Sequence, residues 1–338
     1  MIETSTSVPA EARTPAVTRL SICIPTFNRA HTLGRLLEAL QRELADPRLT
    51  ANIQIVISDN ASSDDTQTLV NRYIEIGLPI IYFRQPSNLG FGKNLNHAIA
   101  SAEGEYCWLM GSDDIPMPDS IRTILGNIAA GPDIILGNVL TNGRLRQFWS
   151  EGSDRVYIAG RPDVAEFISR CTEISSLFAF MSALVVKRAF WNSVKASADL
   201  LAHPYTHQIR LFSAIANGGA ALQTIAVPIV DTGDEGNEWD AQIGKHFELD
   251  CSTLQLIATS VFDNDERIFQ ALGQVFRLQY GPGKLIRSRS CLDESSWRVL
   301  QPTLIRWGYS ATECRKRYYD AIIFSSYMLL KKSKRILA

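Results

Sequence analysis

The sequence has little of the features that would assign it quickly to a class. Its six cysteines never fall in a Cys-x-x-Cys spacing, so neither a zinc site nor a redox pair is indicated, and free thiols suit a reducing cytoplasm. The longest apolar stretch near the C-terminus, residues 321–330, contains two serines, whereas a helix needs about 20 apolar residues to cross a bilayer. The net charge of −1 excludes a general polyanion binder and predicts no nucleic-acid partner.

The composition is that of an ordinary globular protein. Of 338 residues, 46% are hydrophobic and 20% are charged, which suffices for one large domain with appended parts or for two domains. Residues 1–18 are rich in Ser, Thr, Pro, Ala and Glu and lack the basic and apolar regions of a signal peptide. We therefore expect a disordered leader there.

Charge is unevenly distributed along the chain. Residues 306–338 contain eight Lys or Arg and two acidic residues, so this tail is +6 and the remainder is −7. Basic clusters at 315–317 and 331–335 flank an apolar middle, as in a helix that lies on anionic lipid. The alternative is a solvated helix that packs on the body. The tail predicts a cytoplasmic protein in peripheral contact with an anionic membrane, the inner face of the plasma membrane.

Strand-like apolar runs alternate with helical periodicity from residue 20 to about residue 118. This alternation predicts an α/β fold with a mostly parallel, Rossmann-like sheet and flanking helices. Further strands are expected at 134–139, 183–186 and 223–230, and a helical region from about 242 onward. In such sheets the loops that follow the strands gather at one edge, where ligands bind.

Two polar segments follow the first two predicted strands. Residues 25–29 (PTFNR) open a helix; Phe27 can stack on a base and Arg29 can pair with phosphate. A plain strand–turn–helix junction is the alternative. The second segment is residues 58–64 (SDNASSD). We expect Ser62 or Ser63, with Asp64, to cap the next helix. Asp59 is not needed for this cap and can accept hydrogen bonds from the N–H groups of a nucleobase.

Two further segments follow later strands. Residues 88–94 (NLGFGKN) fail the Walker A pattern but can place backbone N–H groups and Lys93 near a diphosphate. Asp113 and Asp114 follow the apolar run at 106–110. Adjacent carboxylates at the end of a buried strand repel one another, and a hard cation such as Mg²⁺ or Mn²⁺ would offset this repulsion. Two solvated loop aspartates are the alternative.

Together, these segments resemble the family 2 glycosyltransferases of GT-A fold, and the resemblance extends over about residues 20–119. Segments 105–110 and 182–188 further resemble the abequosyltransferase-like subgroup, which transfers deoxysugars in bacterial O-antigen synthesis. The matching strings are IPTFNR at 24–29, VISDNASSD at 56–64, NLG at 88–90 and SDD at 112–114.

The resemblance implies roles for individual residues. Asp113 would contact ribose, and Asp114, with Asp113, would form the metal site. The nucleotide site would also include Pro25, Thr26, Phe27, Arg29, Asp59, Gly90 and Lys93. The implied reaction inverts the anomeric centre with the help of a general base.

The sequence departs from the family pattern where a Glu-Asp pair is usual. The corresponding segment, residues 203–210 (HPYTHQIR), has no carboxylate, and His207 takes the place of the base or of a second metal ligand; a structural histidine is the alternative. Asp231, Asp234 and Glu235 in a polar, glycine-containing loop are rival bases, and this loop is either a lid or an ordinary exposed loop.

The sequence thus predicts a metal-assisted glycosyltransferase that uses a nucleotide-diphospho-sugar and a saccharide acceptor, lipid-linked or part of a surface polysaccharide. The alternatives are a non-catalytic nucleotide-binding or scaffold protein and, less well supported, a nucleotidyltransferase, which usually has a glycine-rich loop after the first strand. The predicted divisions are a nucleotide-sugar-binding half at 19–120, an acceptor-binding half at 121–240 and a helical region with a basic tail at 241–338.

Overall fold

The computed structural model describes residues 18–149, 155–195, 197–232 and 242–315. The predicted leader, Asp234, Glu235 and most of the basic tail lie outside these residues. Ten strands form one sheet: β1 Leu20–Thr26, β2 Ile53–Asp59, β3 Ile80–Arg84, β4 Tyr106–Leu109, β5 Ile115–Pro116, β6 Ile134–Thr141, β7 Arg144–Arg146, β8 Arg155–Ile158, β9 Leu184–Lys187 and β10 Ala220–Asp231.

The helices lie between these strands and, after β10, follow one another. They are α1 Ala30–Glu43, α2 Pro47–Thr50, α3 Thr66–Glu75, α4 Phe91–Ala100, α5 Ser120–Ile128, α6 Arg161–Arg170, α7 Arg188–Asn192, α8 Ala198–Ala202, α9 Thr206–Gly218, α10 Ile243–Leu256, α11 Glu266–Gln279, α12 Pro282–Ser290, α13 Glu294–Arg306 and α14 Ala311–Arg315. Short 3₁₀ turns occupy Ile174–Ser176 and Met181–Ala183, and a π-helical segment, Ile257–Val261, continues α10.

The apolar runs form strands where the sequence predicts them, but β1 continues beyond Pro25. Its register with β2 extends to the pair Thr26–Asp59, whereas its register with β4 ends at the pair Cys23–Leu109. Pro25 therefore lies where β1 has a ladder partner on one side only, so the missing N–H of proline costs no hydrogen bond on the β4 side. This extension carries Thr26 to the edge of the sheet.

The sheet is mixed, and six of its ten described strands run in the same direction. Its order is β3-β2-β1-β4-β9-β6-β10-β5, with β7 beside β6 and β8 beside β10. The four strands of the first half, β3, β2, β1 and β4, pair in parallel as predicted. The strand β9 is antiparallel to both β4 and β6, and the short strands β5, β7 and β8 also pair antiparallel. The α/β class is confirmed: β6 and β10 run in the same direction as the first four strands, and the antiparallel strands are β5, β7, β8 and β9.

Helices cover both faces of this sheet. One buried cluster packs apolar side chains of α1, α3 and α5 against the first face, with Leu33, Leu36, Val70 and Ile121 among them. A second cluster joins α4, α6 and α9 on the other face to the helices after β10. The carboxyl ends of the first four strands remain uncovered between these layers, and this edge carries the polar segments that the sequence analysis identified.

The helices from α10 onward form an aromatic core of their own against the second face. The ring of Phe247 contacts the rings of Phe276, Tyr280 and Trp297, with centroids 4.9–6.1 Å apart. Trp307 is 2% exposed and contacts Phe276. Among the described residues, no helix is long and apolar enough to cross a bilayer.

Candidate functional site

A cleft of about 430 Å³ opens at the carboxyl edge of the sheet. Its walls come from the ends of β1 and β4 and from the loops that follow β2 and β3. Five predicted nucleotide-binding residues line it, together with seven others that the sequence did not select. The lining residues are Pro25, Thr26, Phe27, Arg29, Asn60, Asn88, Gly90, Phe91, Asn94, Gly111, Ser112 and Met181.

Asp59 lies beneath the cleft and not on its surface. Its side chain has no exposed area. One carboxylate oxygen accepts a hydrogen bond from the Ser62 N–H at 2.9 Å, and the other accepts one from the Tyr82 hydroxyl at 2.6 Å. Arg84 Nε lies 3.9 Å away. A nucleobase would reach the Asp59 carboxylate only by replacing one of these hydrogen-bond or ion-pair partners, Ser62, Tyr82 or Arg84.

The turn after β2 is fixed to its neighbours by side-chain hydrogen bonds. Asp64 accepts hydrogen bonds from the Ala30 N–H at 2.9 Å and from the Thr66 N–H at 3.2 Å, so it joins the first turns of α1 and α3. One N–H group of the first turn of α1, that of Ala30, is therefore already used. Ala61 takes a left-handed φ of 66° in this turn.

An asparagine pair shapes the cleft wall between β2 and α4. Asn60 accepts a hydrogen bond from the Leu89 N–H at 2.7 Å and donates one to Asn88 Oδ1 at 2.8 Å. Asn88 Oδ1 also accepts from the Gly90 N–H at 2.9 Å. Gly90 has a φ of 83°, which a residue with a side chain adopts with strain. The requirement for glycine at this position is therefore conformational.

The two aspartates after β4 occupy different environments. Asp113 is partly exposed and forms an ion pair with Arg29 at the edge of the cleft. Asp114 is 7% exposed. Burial, and secondly the negative charge of Asp113, raise the pKa of Asp114 to about 7. A cation beside Asp114 would offset both causes.

Ser182, in the turn Met181–Ala183 that precedes β9, forms a hydrogen bond with Asp114. Its hydroxyl donates a hydrogen bond to Asp114 Oδ2 and accepts one from the Gly111 N–H at 2.8 Å. A Cβ atom at Gly111 would lie 2.6 Å from Asp114 Oδ2, so this position needs glycine. Ser182 belongs to the segment 182–188 that the resemblance includes, but no sequence spacing pairs it with Asp114.

Asp231 is brought close to the acidic pair. It ends β10, where it is paired with Ile115, the residue that follows Asp114. Its negative charge contributes to the raised pKa of Asp114. Asp231 is half-buried at the edge of the sheet.

His207 lies behind the cleft wall. It is 2% exposed, its Nε2 is 3.0 Å from the Ala179 carbonyl oxygen, and its ring meets the Phe91 ring edge to face. Burial lowers the pKa of His207 to about 4. The imidazole is therefore neutral, with the Nε2 proton assigned by its carbonyl acceptor. Nδ1 is buried and has no hydrogen-bond partner among the described residues.

Lys93 lies apart from the other predicted ligands. It is exposed in the first turn of α4 and is absent from the cleft lining. The sequence missed Asn60, Asn88 and Ser112, although each belongs to a quoted motif. Phe91 and Met181 carry no local signal, because their place on the wall depends on how α4 and the turn at 181–183 pack.

The donor set suits a hard divalent cation that also binds substrate. Among the described residues, no group of three or more His, Cys, Asp or Glu side chains is placed to hold a metal by itself. Asp113 and Asp114 supply carboxylates at the cleft edge, and Mg²⁺ is commonly held by one or two carboxylates together with substrate phosphates. The raised pKa of Asp114 fits such a partner.

Comparisons with known proteins bear on this site. The model of the family described as glycosyl transferase family 2 matches residues 21–187. An abequosyltransferase of Salmonella typhimurium, RfbV, is 31% identical over 223 residues, 62% of this chain and 65% of that protein. A Campylobacter jejuni protein named GalNAc(5)-diNAcBac-PP-undecaprenol beta-1,3-glucosyltransferase is 29% identical over 36% of this chain and 38% of its own length. Both matches span less than two thirds of the relative.

Solved structures share the architecture. Staphylococcus aureus TarS 1–349 superposes with a TM-score of 0.57 at 16% identity, covering 86% of this chain and 88% of that chain. The mannosyltransferase PcManGT from Pyrobaculum calidifontis, solved with GDP-Man and Mn²⁺, has a TM-score of 0.51 at 14% identity, covering 89% and 87%. At these identities the likeness concerns the fold, a GT-A-like α/β sheet with a helical C-terminal region.

Proposed function

We infer from the match of residues 21–187 that this chain belongs to glycosyl transferase family 2, and on that premise we propose that it transfers a sugar from a nucleotide-diphospho-sugar to an acceptor hydroxyl. The observation that carries the proposal is the cleft at the carboxyl edge of the sheet, which brings Pro25, Thr26, Phe27 and Arg29 together with the turn that bears Asp113 and Asp114. A nucleotide-binding surface beside an acidic pair is what diphosphate-leaving chemistry needs.

The donor would lie along the cleft with its base near Phe27. Phe27 is 41% exposed, so its ring is available for stacking. Asp59 would support the base site from below, because it fixes Ser62 and Tyr82 around the turn. When the donor binds, the Arg29 guanidinium would leave Asp113 and pair with the diphosphate, whose oxygens can accept two parallel hydrogen bonds from it. Gly90 would bring its backbone close to the nucleotide, and Lys93 would act at longer range.

Asp114 and Asp113 would hold Mg²⁺ or Mn²⁺ together with the diphosphate. When bound, the cation neutralises charge on the leaving nucleoside diphosphate. The PcManGT structure is described as a complex with Mn²⁺, which supports the use of a divalent cation in this fold. Asp114 must be ionised for this role. Its pKa of about 7 therefore predicts competition between protons and the cation.

We assign the general base to Asp231 and not to His207. Asp231 pairs at the sheet edge with Ile115, the residue after Asp114, and it is only half-buried. His207 is buried, and its Nε2 is bonded to the Ala179 carbonyl. A base must reach the acceptor hydroxyl directly or through one water. Asp234 and Glu235, the other candidates, lie outside the described residues.

Attack by the acceptor on the face opposite the leaving diphosphate would invert the anomeric centre. We propose a saccharide acceptor, lipid-linked or part of a surface polysaccharide. Two relatives have names that support this class of acceptor. They are the abequosyltransferase RfbV and the GalNAc(5)-diNAcBac-PP-undecaprenol beta-1,3-glucosyltransferase. The +6 charge of residues 306–338 supports peripheral contact with an anionic membrane on the cytoplasmic side, where such an acceptor would be anchored.

The proposal is tested by thermal-shift measurements with UDP, CDP, GDP and dTDP, each with and without Mn²⁺, followed by hydrolysis of the matching sugar donors. A ligand at 100 times its Kd adds about 2.7 kcal/mol to stability. We expect one base to be preferred and the shift to increase with Mn²⁺. Binding without hydrolysis or transfer would favour the non-catalytic alternative, and the absence of any shift would contradict both.

A further inference from the structure

We propose that Ser182 is the positioning residue of the Asp114 carboxylate, a role that rests on the transferase function proposed above. Ser182 is fully buried and lies 68 residues from Asp114 in the chain. It does not line the cleft that would hold the donor. It would therefore act only through Asp114.

The direction of the Ser182 hydroxyl is fixed by its two partners. The Gly111 N–H donates to Ser182 Oγ at 2.8 Å, so this oxygen serves as an acceptor on that side. Its own proton then goes to Asp114 Oδ2. One hydroxyl thus joins the first and last residues of the turn Gly111–Asp114. No hydrogen bond to Asp114 Oδ1 is found among the described residues, which leaves this oxygen for a cation.

Ser182 is itself held by a rigid segment, residues 177–182. The Trp108 indole N–H donates to the Ser182 carbonyl at 2.9 Å. From the first turns of α9, His207 Nε2 bonds the Ala179 carbonyl at 3.0 Å and Gln208 Nε2 donates to the Leu177 carbonyl at 2.9 Å. These three side chains are buried. The segment is therefore fixed from β4 at one end and from α9 at the other.

This arrangement gives the buried His207 a positioning role. It holds the backbone that presents Ser182 to Asp114, so its contribution would pass through the same carboxylate. Partners of metal-binding carboxylates typically change metal affinity by about 10- to 100-fold when they are removed. Loss of the Ser182 hydroxyl would let Asp114 rotate and would lower its affinity for the cation.

The experiment measures Mn²⁺ binding to the whole chain by electron paramagnetic resonance, with Mn²⁺ alone and with Mn²⁺ plus each of UDP, CDP, GDP and dTDP as the probes. Ser182→Ala is expected to weaken Mn²⁺ affinity by about 10- to 100-fold. Ser182→Thr, which keeps the hydroxyl, is expected to restore most of this affinity. The matched control is Ser120→Ala, because the Ser120 hydroxyl is buried near the same edge and has no partner among the described residues.

The outcomes separate this role from the proposed function. If the wild-type chain binds Mn²⁺ neither alone nor with any of these nucleotides, the metal-assisted function itself fails and the role of Ser182 fails with it. If the wild type binds Mn²⁺ and Ser182→Ala binds it equally well, only the role of Ser182 is overturned. A folded Ser182→Ala variant with a lower melting temperature but unchanged Mn²⁺ affinity would also overturn it, because that is the signature of a purely structural serine.

Discussion

The guanidinium of Arg29 is ion-paired with the carboxylate of Asp113 across 84 residues of sequence. The sequence predicts these two side chains as separate contacts of a nucleotide. Their pairing means that Asp113 carries a positive partner before any cation arrives, and that Arg29 carries a negative partner before any phosphate arrives. Donor and metal binding are therefore linked through this pair.

The first prediction concerns Arg29→Ala. Removing the guanidinium releases Asp113, so the affinity for Mn²⁺ alone should rise, by at most about fivefold because exposed ion pairs contribute about 0.2–1 kcal/mol. The affinity for the preferred nucleoside diphosphate with Mn²⁺ should fall by about 1.5–3 kcal/mol, the range for a hydrogen bond to a charged group. Calorimetry measures both. Arg42→Ala, on the exposed side of α1, is the control and should change neither; a parallel fall of both affinities would contradict the linkage.

The second prediction concerns the metal. Asp114→Asn should abolish transfer and leave the fold intact, because it removes a charged ligand but retains the side-chain volume. Transfer is measured with and without EDTA, and folding is measured by circular dichroism. Asp119→Asn is a matched control, since Asp119 lies five residues further on with an exposed side chain and a left-handed φ that asparagine tolerates. Full activity of Asp114→Asn, or of the wild type in EDTA, would exclude the assignment.

The third prediction follows from the pKa of Asp114, which burial and Asp113 raise to about 7 from the ordinary value of 3.8. Because the folded state holds this proton more tightly than the unfolded state, the stabilisation is complete below about pH 4 and is lost as pH rises to about 7. In metal-free protein, the free energy of unfolding of the wild type relative to Asp114→Asn should therefore fall across this window, by at most about 1.4 kcal/mol per pH unit.

The same titration governs metal affinity. Mn²⁺ needs the ionised carboxylate, so its affinity should rise by about tenfold per pH unit up to about pH 7 and then level off. Urea unfolding and Mn²⁺ titration between pH 5 and pH 8 measure the two effects. A relative stability that rises with pH across this window would have the wrong sign and would show that Asp114 is ionised in the metal-free protein at low pH.

The fourth prediction separates Asp231 from His207. If Asp231 is the base, Asp231→Asn should lower kcat by at least about 100-fold, the lower range for general-base catalysis, with the Kd of the nucleotide nearly unchanged. His207→Gln keeps a donor for the Ala179 carbonyl and should retain most of kcat. His207→Ala should lower the melting temperature. A 100-fold loss of kcat in His207→Gln at full metal affinity would transfer the role back to histidine.

The fifth prediction concerns the tail. Removal of residues 316–338 takes away six basic residues and should reduce cosedimentation with anionic vesicles, and salt should weaken binding of the intact chain. A cut after Arg306 is unsuitable, because Trp307, Tyr309 and Cys314 are buried. Neutral vesicles are the control. Equal sedimentation of the full and shortened chains would exclude a membrane role for the tail.

The sequence predicts the positions of the strands and helices better than it predicts which strands pair with one another. Apolar runs such as those at residues 20–24 and 53–57 are long enough to mark strands, and the polar residues after them identify the cleft. The strands Ile115–Pro116 and Arg144–Arg146 have only two and three residues, too few for an alternation to register. Their antiparallel pairing depends on the chain reversals between them, which hydrophobic periodicity does not encode.

The candidate site shows the same division. Residues within one loop, such as Asp113 and Asp114, are found from their spacing and from the strand that precedes them. The hydrogen bond from Ser182 to Asp114 joins loops of different strands, and the burial of Asp59 depends on Tyr82 from the next strand. The low exposure of His207 arises because α9 packs against residues 177–180. Such relations need tertiary structure, since nothing in the local sequence distinguishes a buried histidine from one at a cleft.

The position of β9 between β4 and β6 bears on whether the two halves could exist apart. A fragment that ended near residue 120 would leave one side of Tyr106–Leu109 as a bare edge, with ladder N–H and C=O groups and the Trp108 indole N–H deprived of their partners from residues 182–187. Such an edge invites pairing with other chains. The predicted divisions at residues 19–120 and 121–240 thus share one sheet, and we expect that separating them by truncation would produce an aggregating fragment instead of an isolated nucleotide-binding module.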